Sequence, residues 1–446
     1  MKPGTIVALG SGAGRAGVAV IRLSGPDAGA TLAALTGHAP AKPRRATRVA
    51  FQNPQSGEEL DEGLALWFPG PASFTGEDVA ELHVHGGPAV VEAIIDACLS
   101  QPDVRVAEPG EFSRRAFENG KLDLAEAEGL ADLVDAETEG QRRQALRQAR
   151  GVLSALYEGW RTKLIEAAAL IEAEIDFPDE DLPGALARRA GPILQTLADD
   201  MGRHLVDHRG ERIRDGYRIA IIGPPNAGKS SLLNALAKRE AAIVSDIPGT
   251  TRDVVEVRLV LGGFPVWIAD TAGLREAADA IEAEGVRRAL ARAEEADLRI
   301  LVVEAGAALA PALMESLRPS DLLVRSKTDL QSARTPRTGA LFSGSPELWL
   351  STLSGEGVQA LETLLSARVA HALGSEETPA LTRARHRRLV EEARAALVRA
   401  LPRIADSPEL AAEDLRLAGR ALGRLTGRID VEDLLDEIFS SFCIGK

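Results

Sequence analysis

The sequence predicts an α/β domain with a doubly wound sheet, inserted into a discontinuous helical bundle that follows an N-terminal α+β domain. Three observations support this prediction. Strand-like and helical runs alternate across the centre of the chain, helix-period apolar patterns flank that centre, and short strand-like runs fill the first hundred or so residues. We expect an N-terminal domain, a first helical part, the inserted domain and a second helical part over residues 1–118, 119–214, 215–375 and 376–446.

The helical parts are predicted from apolar residues that recur every three or four positions, which is the spacing of one helix face. The upstream pattern is that of one long helix. Because the insert separates the two patterns, they predict one bundle built from two distant segments, through which motion of the inserted domain could be passed on. The periodic positions are Leu146, Ala149, Leu153, Leu156, Trp160, Leu164, Ala167 and Ile171, then Leu389, Ala393, Leu397, Leu401, Leu415, Ala418, Leu422 and Leu425.

A phosphate-binding loop is predicted at Gly223–Ser230, which reads G-x-x-x-x-G-K-S directly after the apolar run Tyr217–Ile222. Backbone N–H groups of such a loop cradle phosphates, Lys229 can reach the β- and γ-oxygens, and the Ser230 hydroxyl can ligate Mg²⁺. The chain is therefore expected to bind a nucleoside triphosphate. The predicted contacts in this loop are Asn226, Ala227, Gly228, Lys229, Ser230 and Ser231.

The next motifs have the order found in small GTPases. Asp270–Gly273 follows an apolar strand and supplies a carboxylate for Mg²⁺ and a glycine N–H for the γ-phosphate. Gly249–Asp253 lies between this motif and the loop, where a hydroxyl can complete the metal's shell. We expect nucleotide contacts from Ser245, Thr250, Thr251, Asp270, Thr271, Ala272 and Gly273, and Mg²⁺ ligation by Ser230 and Thr251.

Ser326–Asp329 follows the strand Leu322–Val324 and resembles the Asn-Lys-x-Asp motif that reads guanine in GTPases. There the Asp accepts from N1–H and the 2-amino group, while the Asn tethers the loop to the phosphate loop and meets the N7 edge. Ser326 replaces that Asn, which leaves guanine affinity open, but Asp329 favours GTP because adenine offers this acceptor no donor. The predicted base contacts are Ser326, Lys327, Asp329, Ser351, Thr352 and Leu353.

The residue that orients the attacking water is not evident from the motifs alone. Many GTPases have a Gln directly after Asp-x-x-Gly, but this chain has Leu274, which cannot hydrogen-bond water. The acidic segment 275–284 offers several carboxylates, and a solvated helix face is the alternative interpretation. Arg252 and Arg275 are candidates either for transition-state charges or for surface ion pairs.

Composition indicates a globular protein of about three domains. The 446 residues are 45% hydrophobic and 26% charged, and the two cysteines, Cys98 and Cys443, are too few for a disulfide framework. These features, with no apolar run of membrane-spanning length, predict a cytoplasmic protein without membrane insertion. The net charge of −14 disfavours general attraction of nucleic acid, and Arg383–Arg388 is either a local basic patch or a solvated helix face.

Two N-terminal patterns each allow a functional and a purely structural interpretation. Gly12–Gly17 matches G-x-G-x-x-G, but the β-rich run Val18–Leu23 follows it, whereas a dinucleotide site needs a helix there. His83 and His85 could share a strand face as metal ligands, although no third ligand is near in sequence and a polar strand face is the simpler interpretation. Further strands are predicted at residues 5–9, 63–68 and 79–84.

Motifs outside the nucleotide site resemble those of the MnmE (TrmE) family of bacterial tRNA-modification GTPases over the full length. They are the terminal run Phe439–Lys446, Ser73–Asp78 with Gly86–Pro88, and Lys121–Ala125 with Glu128. The resemblance implies a homodimer that binds 5-formyl- or 5,10-methylene-tetrahydrofolate. It also implies a heterotetramer with MnmG (GidA), which carries FAD, and modification of C5 of the tRNA wobble uridine with an aminomethyl-type (carboxymethylaminomethyl) group.

The resemblance also assigns roles residue by residue. Folate contacts fall on Arg22, Glu81, Lys121 and Lys446, and K⁺ ligands on Asn226, Ser245, Ile247 and Thr250. Glu282 matches the water-orienting carboxylate, so that Glu282 and Lys229 are the predicted catalytic residues. The alternatives are a regulatory GTPase of the ribosome-assembly type and a nucleotide-filled scaffold. The first has no reason to carry the terminal motif or a folate site, and the second is disfavoured because Lys229, Asp270 and Glu282 are all present. The sequence leaves open the tRNAs served, the nitrogen donor, the role of Cys443 and direct tRNA contact.

Overall fold

The computed structural model describes residues 4–40, 42–176, 186–239, 256–270, 294–308, 318, 320–330, 340–342, 345–374, 379–429, 435, 438–440, 442 and 445. The chain divides into two compact units, each built from separate segments. The first comprises Met1–Ala131, Gln148–Gln195 and Ala395–Lys446, and the second comprises Asp132–Arg147 and Thr196–Arg394.

The first unit opens with a six-stranded sheet in the order β3-β4-β5-β2-β1-β6. Strands β1 to β5 pair antiparallel along this order, and β6 joins β1 in parallel. One face packs against helices α1 (Ala28–Thr36) and α2 (Pro88–Leu99). The predicted strands are confirmed, whereas β3 and β6 were not predicted. The strands are β1 Thr5–Leu9, β2 Ala16–Ser24, β3 Thr47–Gln52, β4 Glu59–Phe68, β5 Val79–Gly86 and β6 Val104–Val106.

Helices follow this sheet in the chain. The described helices before the second sheet are α3 Glu111–Glu118, α4 Leu124–Val134, α5 Glu139–Ala149, α6 Val152–Asp176, α7 Leu186–Val206 and α8 Arg209–Asp215. The single long helix predicted over residues 146–171 is wrong, because α5 ends and α6 begins around Gly151. Gly151 has φ +82°, and a Cβ there would lie 2.8 Å from Glu126 Oε1. This left-handed turn suits glycine and breaks the helix.

The second half of the bundle comes from the C-terminal segment. It consists of α11 (Ala384–Ala400) and α12 (Pro408–Leu425). Helix α12 packs along α6, where a Cβ on Gly419 would lie at the ordinary contact distance of 3.7 Å from Leu164 Cδ2. The prediction of one bundle from two distant segments is thus confirmed.

The second unit contains a seven-stranded sheet in the order β12-β13-β11-β10-β7-β9-β8. The five inner strands run parallel, and the two edge strands are antiparallel to their neighbours. Helices α9 (Lys229–Arg239) and α10 (Val358–Leu373) contribute to its core. The strands are β7 Tyr217–Ile222, β8 Glu256–Leu261, β9 Phe264–Asp270, β10 Leu298–Glu304, β11 Leu322–Ser326, β12 Ala340–Phe342 and β13 Ser345–Trp349.

This sheet confirms the predicted doubly wound domain and the hairpin within it. Gly262 and Gly263 join β8 to β9 with φ values of +60° and +85°, as a two-residue hairpin turn requires. Because the inner strands are parallel, their carboxyl ends meet at one edge, where ligand loops belong in such folds. Within the described ranges, no helix is long and apolar enough to cross a membrane.

Candidate nucleotide-binding site

The loop between β7 and α9 has the backbone of a phosphate-binding loop. Gly223 has φ +146°, and a Cβ on it would lie 2.1 Å from Val302 O of the neighbouring strand β10. Asn226 and Gly228 also have positive φ values, +56° and +92°. These left-handed residues turn successive N–H groups of the loop and helix start toward one concave surface, which suits an anion.

Lys229, the first residue of α9, is almost completely buried. Its Nζ donates to Gly223 O at 2.9 Å and to Pro224 O at 2.6 Å, so the ammonium group crosses the loop. Burial lowers the pKa of Lys229 below its usual range, and the nearby Asp270 carboxylate partly opposes this shift. A phosphate placed in the loop would restore a full counter-charge to this ammonium group.

Ser230 and Asp270 meet at the same edge of the sheet. Asp270 is the last residue of β9, next to the end of β7, and it is buried. The Ser230 hydroxyl donates to Asp270 Oδ2 at 2.5 Å. A hydroxyl and a carboxylate held side by side are oxygen ligands of the kind that Mg²⁺ uses together with phosphates and water. The pair therefore fits the magnesium ion that the motifs imply.

The predicted base-reading segment, Ser326–Asp329 with Ser351–Leu353, is held by hydrogen bonds between protein groups. Ser351 is fully buried, and its hydroxyl donates to Asp329 Oδ1 at 2.5 Å. Ser351 Oγ also accepts from the N–H groups of Leu353 and Ser354, each at 3.2 Å. Ser351, which these backbone bonds hold in place, thus orients the Asp329 carboxylate through Oδ1. Asp329 Oδ2 makes no bond to Ser351.

Ser326, at the end of β11, links the base-reading segment to the phosphate loop. Its hydroxyl donates to Ala227 O at 2.5 Å and also lies 3.3 Å from Val303 O. Ser326 is 3% exposed, so water hardly competes for this bond. The next residue, Lys327, has φ +57° and its Nζ lies 3.1 Å from Glu304 Oε2.

The structure brings several of the predicted nucleotide residues together at this edge, while their roles stay predictions. Asn226 and Ser231 are exposed, and Leu353 is 86% exposed beside Thr352. Glu304 was not predicted, although its position at the carboxyl end of a parallel strand was a usable signal. The predicted residues outside the described part are Ser245, Ile247, Thr250, Thr251, Arg252, Thr271, Ala272, Gly273, Leu274, Arg275 and Glu282.

In the first unit, Arg22 and Glu81 face each other across β2 and β5. Arg22 donates to Glu81 Oε1 from Nη2 at 2.9 Å and from Nε at 3.1 Å. The Arg22 guanidinium also lies 5.9 Å from the Phe74 ring centroid and 3.5 Å, at Nη1, from Gly445 O. Phe74 was not singled out by the sequence, although it belongs to the motif at residues 73–78.

The other two predicted folate residues are Lys121 and Lys446, of which the structure describes only Lys121. Lys121 Nζ donates to Pro71 O at 3.0 Å, on an exposed surface. Lys446 lies outside the described residues, as does Cys443, whose role the sequence leaves open, but Gly445 packs against the end of β1. A Cβ on Gly445 would lie 2.2 Å from Leu9 O, and its φ is +97°.

The remaining sequence patterns take ordinary structural roles. Gly12–Gly17 leads into strand β2 and not into a helix, as predicted. His83 lies 3.5 Å from Glu81 and His85 2.8 Å from Asp61, and the described residues contain no cluster of three candidate metal ligands.

The basic run 383–388 is ion-paired along much of its length. Arg383 lies 2.7 Å from Asp132, and Arg387 lies 2.9 Å from Glu211. Arg388 is the more exposed member, with Glu392 at 3.7 Å. Because these carboxylates offset the local charge, the run does not form the uncompensated basic patch that nucleic acid would favour.

Comparison with known families accounts for both units. One family model, the GTP-binding protein TrmE N-terminus, matches residues 5–121, and a second, the MnmE helical domain, matches residues 124–443. The chain belongs to the MnmE family. Curated MnmE relatives, each described as a tRNA modification GTPase, match it over nearly their whole length, which makes this a member of a family of tRNA modification GTPases.

Three of these MnmE relatives illustrate the match, and each is aligned to 99% of this chain. The protein of Parvibaculum lavamentivorans is 58% identical over 100% of its own length, and that of Maricaulis maris is 60% identical over 99%. The protein of Rhodospirillum rubrum is 55% identical over 99%. Among solved structures, the FeoB G-domain from Methanococcus jannaschii covers 34% of this chain and 97% of its own at 28% identity, with a TM-score of 0.25.

Proposed function

We propose that this MnmE-family chain hydrolyses GTP as the K⁺-stimulated component of a complex that modifies the wobble uridine of certain tRNAs. The nucleotide part of this proposal is best supported by two hydrogen bonds, one that joins the base segment to the phosphate loop and one within the base segment. Ser326 ties the base segment to Ala227 of the phosphate loop, and Ser351 orients Asp329. A site with both ends organised in this way suits a guanine nucleotide with its phosphates.

In this proposal, Lys229 offsets the charge of the terminal phosphates. Ser230 and Thr251 hold Mg²⁺, which when bound neutralises charge on the phosphate oxygens. Glu282 orients the attacking water, a task that Leu274 cannot perform. The Thr251 assignment rests on the Gly-Thr-Thr segment between the phosphate loop and Asp270, and the Glu282 assignment rests on the family resemblance.

We further propose that Asn226, Ser245, Ile247 and Thr250 hold K⁺. Asn226 offers an exposed side-chain amide in the phosphate loop. A monovalent cation at this point supplies positive charge near the phosphates, as an arginine finger does in other GTPases. GTP would then pair the nucleotide domains of a homodimer, and hydrolysis would release them.

For the first unit we propose a site for 5-formyl- or 5,10-methylene-tetrahydrofolate at Arg22, Glu81, Lys121 and Lys446. The donor set suits this ligand, since a cation can bind the glutamate carboxylate and a carboxylate can accept from the pterin. The Phe74 ring beside Arg22 adds an aromatic surface. The partner would be MnmG (GidA), with its own FAD, in a cytoplasmic heterotetramer that adds an aminomethyl-type (carboxymethylaminomethyl) group at C5 of the uridine.

The experiment that tests the hydrolytic proposal measures GTP turnover by the purified chain in K⁺ and in Na⁺ at equal ionic strength. The variant Glu282→Ala is measured beside the wild type, with GTP binding as its control. We expect turnover mainly in K⁺, and its loss in the variant with binding retained. Equal rates in both salts with an unimpaired variant would reject the K⁺ and Glu282 assignments.

A second measurement separates this proposal from a regulatory GTPase of the ribosome-assembly type. The chain is titrated with 5-formyl-tetrahydrofolate, and Arg22→Ala is the test variant. We expect saturable binding that the variant weakens at least tenfold, since a charge-assisted hydrogen bond is lost. A GTPase that hydrolyses GTP but shows no folate binding would favour the regulatory alternative.

A further inference from the structure

We infer that this chain does not read the N7 atom of guanine and that Ser326 serves instead only to tether the base segment to the phosphate loop. The inference rests on the proposed guanine-nucleotide site and concerns which atoms of the base that site distinguishes. It follows from the hydrogen-bonding capacity of one buried side chain.

A serine hydroxyl carries one hydrogen, whereas an Asn amide carries two hydrogens on nitrogen and also has an acceptor oxygen. An Asn can therefore bind a carbonyl and the N7 acceptor of a purine at the same time. A Ser can donate to only one of them.

The structure indicates which bond the hydroxyl makes. Ser326 Oγ lies 2.5 Å from Ala227 O, a short and buried bond, and its next acceptor is Val303 O at 3.3 Å. Both neighbours are backbone carbonyl oxygens, which accept hydrogen bonds but cannot donate one. Turning the hydroxyl toward a base would leave Ala227 O without this donor in a place that water hardly reaches.

The Ser326 side chain is also confined by the loop that it holds. A Cβ on Gly228 would lie 3.8 Å from both Cβ and Oγ of Ser326, which is an ordinary contact distance. The Ser326 side chain therefore lies directly beside the backbone of the phosphate loop. The side chain is 3% exposed. It thus lies beneath the phosphate loop, as a short spacer between the two segments.

Base identity must then depend on the other edge of guanine. Asp329 remains the acceptor for N1–H and the 2-amino group, and Ser351 orients it at 2.5 Å. The site is predicted to distinguish guanine from hypoxanthine, which lacks the 2-amino group. It is predicted not to distinguish guanine from 7-deazaguanine, in which a C–H group replaces N7.

Competition binding tests this inference, with GDP, 7-deaza-GDP and inosine diphosphate displacing a fluorescent GDP from the wild-type chain. We expect GDP and 7-deaza-GDP to agree within about twofold, and inosine diphosphate to bind roughly tenfold or more weakly, as loss of a bond to a charged acceptor implies. A wild-type loss of more than about fivefold with 7-deaza-GDP would overturn the inference. Failure of GDP itself to bind would overturn the proposed function together with it.

Two variants sharpen the test. Ser326→Asn supplies the missing donor, so we expect a new preference of about fivefold to tenfold for GDP over 7-deaza-GDP. Ser326→Ala removes the tether, so all three affinities should fall while the GDP to 7-deaza-GDP ratio stays near one. If Ser326→Ala binds either GDP or 7-deaza-GDP clearly more tightly than the other, the assignment is contradicted. The wild-type ratio decides the matter even if Ser326→Asn does not fold.

Discussion

The phosphate end and the base end of the nucleotide site are organised on different principles. At the phosphate end, Lys229 and Ser230 bond to protein oxygens that a phosphate or a metal ion would replace. At the base end, Ser326 and Ser351 make hydrogen bonds to other protein groups that would stay in place when a ligand binds. The first end therefore exchanges its contacts on binding, and the second is pre-arranged. Changes at the first should affect turnover, and changes at the second should affect which base is bound.

The largest effect is expected from Lys229→Ala. We expect kcat for GTP hydrolysis to fall roughly 100-fold to 1,000-fold, as when one preorganised charge-stabilising donor is removed. The measurement is steady-state turnover in K⁺. Lys238→Ala, on the exposed last turn of the same helix, is the matched control and should retain wild-type turnover. Similar losses in both variants would mean that helix integrity, and not charge at the phosphates, had been measured.

The base end can be challenged by changing the acceptor into a donor. In Asp329→Asn we expect GDP affinity to fall about 100-fold, because two bonds to a charged acceptor are weakened. The amide N–H should instead suit xanthine, which has a carbonyl oxygen in place of the 2-amino group. Competition binding with GDP and xanthosine diphosphate checks this reversal. Loss of both affinities would show that Asp329 supports the loop and does not read the base.

A smaller effect is expected when Asp329 is kept but its support is removed. Ser351→Ala deletes the hydroxyl that donates to Asp329 at 2.5 Å and accepts two backbone N–H groups. We expect GDP affinity to fall about tenfold, with a smaller ratio between GDP and inosine diphosphate, because the carboxylate is no longer oriented. The thermal midpoint is measured in parallel. A lower midpoint with unchanged base preference would make Ser351 a purely structural residue.

The two ends also differ in how far they could be predicted from sequence. The phosphate loop is one contiguous motif, and Asp270 was predicted from a second short motif that directly follows an apolar strand. The bond from Ser326 to Ala227 joins residues 99 positions apart and depends on the rotamer of one hydroxyl. A pattern of residue types does not encode that choice.

Similar limits apply to the first unit. Four of its six strands were predicted from β-rich runs. The position of the Phe74 ring, 5.9 Å from the Arg22 guanidinium, depends instead on how a loop folds back on the sheet. The break at Gly151 was missed because apolar periodicity carries on through residues 146–171. A glycine inside a helical pattern costs only about 1 kcal/mol, so tertiary context decides whether it ends the helix.

The smallest effect is expected from Glu304→Gln, which breaks the ion pair with Lys327. The two side chains are 35% and 45% exposed at 3.1 Å, and such pairs contribute only about 0–1 kcal/mol. GDP affinity should therefore change by less than about fivefold in competition binding. Lys327 is positioned chiefly by its backbone, since Ala305 N donates to Ser326 O and Leu330 N donates to Lys327 O. A much larger loss would mean that the base end, like the phosphate end, depends on charge and not on pre-arranged hydrogen bonds.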